Sequence, residues 1–330
     1  MTLVVLRHCF SFIFSIFLSF YLIILVSKIA NKFKILDFPD GKIKTHKKGV
    51  PYLGGLAVFI SFVAVLSLAY PFQNSLLWLL LGCTLLLFVG LIDDLIVLKY
   101  WQKLLGQMIA IVSFLRGGFA LRTDFFSGPL NIFITVFWML FVINAFNLID
   151  VMDGLSSMIA IITSVSFFIV AILTKNYYLS LLLLTFFTPL IIFFFYNKPP
   201  AKIYLGDCGA LFVGGFVAAV PLLFSWSYQN PLGYLVPVII LGVPLLEVVM
   251  LFIIRSAKRL PFYIGSPHHF SSYLLLKGWR KRIILFFVGL VSFFLSLISI
   301  LFLFKIISFW HVLFSLLFLL IIWIYLVFIF

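Results

Sequence analysis

The chain has 330 residues, 65% of them hydrophobic and only 10% charged, yet it carries a formal net charge of +14. A soluble domain carries about a quarter charged residues, so the composition excludes that class and indicates a multi-pass membrane protein. The basic residues stand in short loops between apolar runs, a distribution that fits membrane topology and anionic phosphate ligands and argues against nucleic acid as a partner.

Cutting the chain at its charged, Gly and Pro breaks leaves about eleven apolar runs of membrane-spanning length. They cover 9–27, 54–71, 76–92, 104–121, 130–149, 155–173, 178–196, 210–226, 234–254, 283–304 and 307–329. The expected fold is therefore all-α and polytopic, one membrane-embedded domain over 1–330. The longest hydrophilic stretches, 28–50 and 255–282, are too short for a soluble domain. The first run follows Arg7 and His8, lacks a small-x-small cleavage site and reads as a retained transmembrane helix. Gln107 and the Gly117-Gly118 pair make the fourth run the weakest span. Cys9, Cys83 and Cys208 fall in or beside separate runs without metal-type spacing, and packing is their expected role.

Alternation places the loops after runs 1, 3, 5, 7 and 9 on one face. Those loops, near 28–53, 93–103, 144–156, 197–210 and 255–282, hold eighteen of the Lys and Arg residues. The opposite face keeps Arg7, Arg116, Arg122, Lys175 and Lys305. The positive-inside bias makes the richer face cytoplasmic, with the N-terminus outside and the C-terminus inside.

The same loops hold five polar clusters. Nine acidic residues are present, and Asp93, Asp94, Asp150, Asp153 and Asp207 all stand at the ends of apolar runs. Carboxylates there cost insertion energy and read first as functional. In chain order, Lys42, Lys44, His46, Lys47 and Lys48 precede Gly54-Gly55; some enforce topology, and one or two are candidates for substrate phosphates. Asp93 and Asp94 end a helix side by side and repel each other unless a cation or a partner such as Lys99 or Lys103 compensates them. They suit Mg²⁺ or phosphate handling; a solvated helix cap is the plain alternative.

Asn144, Asn147, Asp150 and Asp153 recur every three residues, and on a continuous helix would spread over about half the circumference. Such a face needs protein or a water-filled cleft, whether as a site or as a polar seam between helices. Asp207, between Gly206 and Gly209, offers oxygens to a metal from a turn where glycines allow close approach, although a simple helix-start turn reads equally well. Tyr204 offers a ring for a nucleobase. Glu247 lies within the ninth run, and Arg255 is a plausible partner for it. His268 and His269 sit in the last basic loop, where imidazoles can bind a diphosphate or move a proton, or the loop can simply attract anionic lipid.

In this order and on one face, the Asp-Asp pair, N-x-x-N-x-x-D-x-x-D-G-L and G-D-x-G resemble the polyprenyl-phosphate N-acetylhexosamine-1-phosphate transferase family, glycosyltransferase family 4. The likeness runs from about Pro39 to Trp279. It implies that Asp93 and Asp94 are the catalytic pair near the prenyl phosphate and that Asp207, with Asp94, holds Mg²⁺ (or Mn²⁺). It also implies that Tyr204 stacks on uracil, that Asn144, Asn147, Asp150 and Asp153 line the nucleotide-sugar side, and that Lys47 contacts substrate. His268 and His269 match the histidine loop.

Three positions depart from the family pattern. Val151 replaces a glycine, Ala210 replaces a frequent serine, and two histidines between Pro267 and Phe270 stand where relatives have three, which leaves open which imidazole acts.

The implied reaction moves N-acetylhexosamine-1-phosphate, with N-acetylglucosamine as the expected sugar, from a UDP-sugar to undecaprenyl phosphate and releases UMP. The implied setting is the bacterial inner membrane, with the site on the cytoplasmic face, membrane lipids around it and a homodimer as the assembly. Phospho-N-acetylmuramoyl-pentapeptide transfer is the alternative within the family. A transporter of a nucleotide sugar or lipid-linked glycan is the rival from another class, but transport sites lie near the bilayer midplane in broken helices, whereas these acids cluster at run ends. A membrane-embedded assembly subunit is the remaining rival.

Overall fold

The computed structural model describes residues 2–37, 49–70, 73–123, 126–260 and 268–329. They form two compact units, Met1–Leu223 and Phe224–Phe330. Helices dominate both. A two-stranded antiparallel ladder, β1 (Leu36–Asp37) with β2 (Val50–Pro51), is the only strand pairing among the described residues and lies outside the all-α expectation.

The first unit contains α1 (Thr2–Lys32), α2 (Gly54–Ala69), α3 (Asn74–Ile96), α4 (Tyr100–Arg116), α5 (Gly128–Ile149), α6 (Leu155–Leu173), α7 (Tyr177–Asn197) and α8 (Gly206–Ala219). Their starts follow local chemistry. Pro129 sits in the first turn of α5, where a missing N–H costs no helical bond. The Asn176 side chain caps α7 by accepting the Leu179 N–H at 3.2 Å. α3 packs along α4 and α8, α6 along α7, and α1 along α2 and α7. An aromatic core joins α2, α7 and α8: Phe186 and Phe216 stack at 3.7 Å, and the Phe62 ring meets them edge-on at 5.7 and 5.3 Å.

The second unit contains α9 (Trp226–Gln229), α10 (Val236–Ile240), α11 (Gly242–Ala257), α12 (Phe270–Leu276), α13 (Lys281–Leu303) and α14 (Phe309–Ile324). α10 and α11 fall in one predicted span but bend by 70°. Pro244 has no N–H for the Ile240 carbonyl one turn back, which breaks the ladder where the chain turns. α13 packs against both halves, and Phe270 stacks on Trp323 at 3.4 Å.

Each of the eleven predicted runs overlaps a helix. Eight helices among the described residues are long and apolar enough to cross a membrane, or nine when the bent pair counts as one crossing. α2, with 16 residues, and α4, with 17, fall short of that length. Large exposed apolar side chains such as Phe88, Phe133, Phe137 and Phe286 cover the helices as a lipid solvent requires. The chain is a polytopic helical membrane protein.

Candidate active site

The ends of α3, α4, α5 and α8 meet in the first unit. Gly90 makes the meeting close, because a Cβ there would fall on the backbone of Asp207 and Cys208. One turn later on the same helix face, Asp94 reaches the start of α8. Its Oδ1 accepts the Asp207 N–H at 2.9 Å and its Oδ2 the Cys208 N–H at 3.0 Å. A carboxylate at a helix N-terminus satisfies donors that have no helical partner. Gly206 turns the chain into α8 with φ of 75°, and a Cβ on it would collide with the Tyr52 carbonyl and crowd the Asp94 carboxylate.

Asp93 has a second task. Its Oδ1 accepts the Leu98 N–H at 2.7 Å, closing the end of α3, where Val97 takes a φ of 56°. Its Oδ2 meets the Lys103 ammonium at 2.8 Å. Lys103, on the first turn of α4, also reaches Asp207 Oδ2 and Asn147 Oδ1, each at 2.9 Å. Asn147 completes the ring by donating to Asp207 Oδ1 at 2.6 Å. Asp93, Asp94, Asp207 and Asn147 therefore converge. Lys103 is the hub; its charge and its position after the Asp pair were the only signs of that role.

The four-residue polar face is not one helix surface. α5 ends at Ile149, Asp150 caps it, and Asp153 lies in the turn before Gly154, whose φ is 77°. The expectation of a continuous helical face is corrected here: Gly154 starts α6 from a left-handed conformation, and α5 stops five residues earlier, at Ile149. Asn144 leaves the acids and forms a reciprocal amide pair with Gln107 at 3.2 and 2.9 Å. Asp153 Oδ2 accepts the Ala201 N–H at 3.3 Å. Burial, then the charges of Asp207, Asp94 and Asp153, push the Asp150 carboxyl well above the usual carboxylate range.

Tyr204 borders the same acids. Burial, then Asp153, Asp37 and Asp150, push its phenol above the usual range, so it remains a hydrogen-bond donor. The loop that carries it is held through its backbone: Tyr204 N–H donates to Pro51 at 2.7 Å, while Gly54 and Gly55 N–H donate to Tyr204 and Leu205 at 3.0 and 2.8 Å. Asn197, absent from the sequence expectations, organises the other side. Its Oδ1 accepts from Gly154 N–H at 3.1 Å and the Ser157 hydroxyl at 2.8 Å, and its amide donates to the Ile203 carbonyl at 3.0 Å. It is buried, and an Asn at the end of an apolar run beside Pro199-Pro200 was the available signal.

Among the described residues, no three His, Cys, Asp or Glu side chains converge closely enough to hold an ion by themselves. The donors present at Asp94, Asp150 and Asp207 are all carboxylate oxygens, and their mutual repulsion is what a cation relieves. Mg²⁺ suits such a set, because it uses one or two carboxylates and takes its remaining ligands from water and substrate phosphates. The residues fit that ion.

His268 and His269 belong to the second unit. His268 Nε2 lies 3.3 Å from the Lys258 ammonium and Nδ1 lies 3.4 Å from the Tyr273 hydroxyl. Burial, then Lys258, Arg255 and His269, push its pKa down. His269 is buried, and its Nδ1 lies 3.2 Å from Glu247. Lys42, Lys44, His46, Lys47 and Lys48 lie outside the described residues.

The family described as Glycosyl transferase family 4 matches residues 76–225, the stretch that carries the whole carboxylate ring. A probable undecaprenyl-phosphate N-acetylglucosaminyl 1-phosphate transferase of Bacillus subtilis is 29% identical over 89% of this chain and 84% of its own length. An undecaprenyl-phosphate alpha-N-acetylglucosaminyl 1-phosphate transferase of Thermotoga maritima is 28% identical over 81% and 83%. A phospho-N-acetylmuramoyl-pentapeptide-transferase of Lactobacillus gasseri is 30% identical over 77% and 86%. With that coverage, and with the Asp-Asp, Asn/Asp and Gly-Asp motifs gathered at one group of helix ends, the chain belongs to glycosyl transferase family 4.

Proposed function

We propose that the chain transfers N-acetylglucosamine-1-phosphate from UDP-N-acetylglucosamine to undecaprenyl phosphate, releasing UMP and beginning a cell-envelope glycan. The observation that carries this reading is the ring of Asp93, Asp94, Asn147 and Asp207 around Lys103. The B. subtilis and T. maritima relatives, which act in name on that lipid and sugar, supply the substrates.

The attacking oxygen belongs to a phosphate monoester whose second pKa is about 6, so at neutral pH it is largely ionised without a strong base. It forms a bond to the β-phosphorus as the bridging P–O bond breaks, and that electron pair leaves on UMP. Substrates and products carry equal charge, so no net proton is required. The physical obstacle is bringing two polyanions together. Lys103 offsets charge on Asp93 and Asp207 while leaving Asp207 one-third exposed. Asp94 fixes the backbone around Asp207 through two N–H bonds. Tyr204 supplies a ring for the uracil, and Asp150 and Asp153 border the same loop. Asp94 and Asp207 would hold Mg²⁺, or Mn²⁺ in its place; the ion supplies Lewis-acid polarisation of the diphosphate when bound.

The eleven-crossing topology with an outside N-terminus, the cytoplasmic orientation of the site, the single transferase domain and the homodimer belong to the same proposal. The L. gasseri relative supports a second reading, in which the donor carries a muramoyl-pentapeptide. A panel of UDP-sugars offered with undecaprenyl phosphate to the purified chain, with and without Mg²⁺, separates the two. UMP release specific to UDP-N-acetylglucosamine and dependent on the metal is expected. Turnover without divalent ions would reject the metal site, and turnover only with the pentapeptide donor would select the second reading.

A further inference from the structure

The first helix carries a cation into an exposed apolar stripe. Leu3, Leu6, Arg7 and Phe10 of α1 stand at the spacing that lines one helix face, and the three apolar members are each more than half exposed. With Leu68 and Tyr70 from the end of α2 they line a groove of about 440 Å³. The groove lies within the first unit, at the end away from the carboxylate ring. Gly55, at the start of α2, packs on Gly209 beside Asp207, and the helix then rises about 24 Å to its last residue, Ala69. The neighbouring His8 is turned elsewhere: its Nδ1–H donates to the Val4 carbonyl at 2.8 Å, and its Nε2 lies 2.8 Å from the Ser180 hydroxyl of α7.

The depth of Arg7 follows from helix length. No Asp, Glu, Lys or Arg stands between Arg7 and Lys28, and over that stretch α1 rises about 31 Å, against about 30 Å for the hydrocarbon core of a bilayer. The two cations bracket the core, so Arg7 stands at the level of lipid phosphates in one leaflet. Among the described residues its guanidinium has no hydrogen-bond or ion-pair partner. None of the nine acidic residues falls in α1, nor in α2 or α7, which pack on it. A planar fork of N–H donors without a carboxylate in reach matches the oxygens of a phosphate. Tyr70 gives the groove a fixed wall: its ring meets Tyr178 edge-on at 6.1 Å and packs on the buried cluster of Ala69, Leu181, Leu184 and Phe187.

We propose that this groove binds an anionic glycerophospholipid of the leaflet opposite the carboxylate ring. The Arg7 guanidinium takes the phosphodiester, Tyr70 walls the headgroup, and one acyl chain lies along Leu3, Leu6, Phe10 and Leu68. The charge of the site selects this occupant: an uncompensated cation at headgroup depth needs an anion, and the stripe beside it needs hydrocarbon. A second copy of the chain fits less well, because a two-fold contact would set Arg7 against the same acid-free surface. The proposal stands apart from the transferase reading, whose failure would leave lipid binding unchanged.

The test titrates the full chain, delipidated in a neutral detergent, with phosphatidylglycerol or phosphatidylcholine of equal acyl length. Native mass spectrometry reads binding and oligomeric state, and thermal unfolding reads stabilisation. Phosphatidylglycerol should bind the parent at least five-fold more tightly than phosphatidylcholine and raise its unfolding temperature. Arg7→Gln should weaken phosphatidylglycerol about tenfold and abolish the preference. Leu68→Trp, which fills the groove but keeps the cation, should weaken it by a similar factor, whereas Lys175→Gln should not. Equal binding of the two lipids by the parent overturns the proposal. So does a loss at Arg7→Gln with none at Leu68→Trp, which would mean that a bare surface charge attracts the headgroup, or an equal loss at Lys175→Gln. Dissociation of an oligomer by Arg7→Gln or Leu68→Trp without lipid would assign the groove to a contact between copies instead. Should Arg7→Gln be unstable, Arg7→Lys should retain the preference for phosphatidylglycerol at reduced strength, and its complete loss there would also overturn the proposal.

Discussion

At the scale of single residues, Lys103 governs the charge balance of the site. It holds two carboxylates and an amide oxygen in a half-buried setting, so a neutral replacement leaves repelling anions together. Lys103→Met keeps the stem and removes the charge. Turnover should drop about 100-fold or more, as when a preorganised donor is lost. Stability should fall by ~2 kcal/mol, less than for a fully buried pair because the side chains of Lys103 and Asp207 are 17% and 35% exposed. UMP-release kinetics and thermal unfolding check both; an unchanged rate would remove Lys103 from the mechanism. Asp150 makes a prediction of opposite sign. Its folded-state pKa is raised, so above the usual carboxylate range the folded chain keeps a proton that the unfolded chain has already released. That contribution to stability is full at low pH and is lost as pH rises through the raised value. Asp150→Asn lacks it, so without added divalent ions its unfolding temperature should exceed that of the parent by a margin that grows from pH 5 to pH 8. A margin that is flat or shrinks with pH would contradict the desolvated carboxyl.

At the scale of elements, α3 and α8 meet through glycine. A Cβ at Gly90 would collide with the Asp207 carbonyl, so Gly90→Val should force the helices apart, cost about 1–3 kcal/mol and abolish turnover by separating Asp94 from the amides it binds. Wild-type rates in that variant would show that the close approach is dispensable. The convergence of Asp93, Asp94 and Asp207 could be read from the sequence because carboxylates at apolar run ends have few tolerable positions. The break after Ile149 could not, since a three-residue polar period looks the same on a helix and on a helix followed by a turn. The left-handed Gly154 decides between them only once its φ is known. Asn197 looked like an ordinary helix end, because two of its three partners, Gly154 and Ser157, lie at the start of α6, far off in sequence, and only Ile203 is nearby. Arg255 was the expected partner for Glu247 on charge alone; His269 and Phe270 hold that carboxylate through a register the primary structure does not encode locally. The 234–254 run read as one span because hydropathy is blind to the hydrogen bond that Pro244 withholds.

At the scale of the whole molecule, orientation is the property to test. With Cys9 replaced by Ser, and Cys83 and Cys208 buried, a cysteine introduced at Lys305 should react with a membrane-impermeant maleimide added to intact cells, and one introduced at Lys198 only after the membrane is opened. The reverse pattern would invert the proposed sidedness. The carboxylate ring also constrains how the chain is made. The bonds from Asp94 to the start of α8 join residues 113 and 114 positions apart, whereas Asp93 finds Lys103 on the very next helix. The α3–α4 hairpin thus leaves the ribosome with one of its two acids already neutralised, and the other waits until four more helices have been threaded into the bilayer.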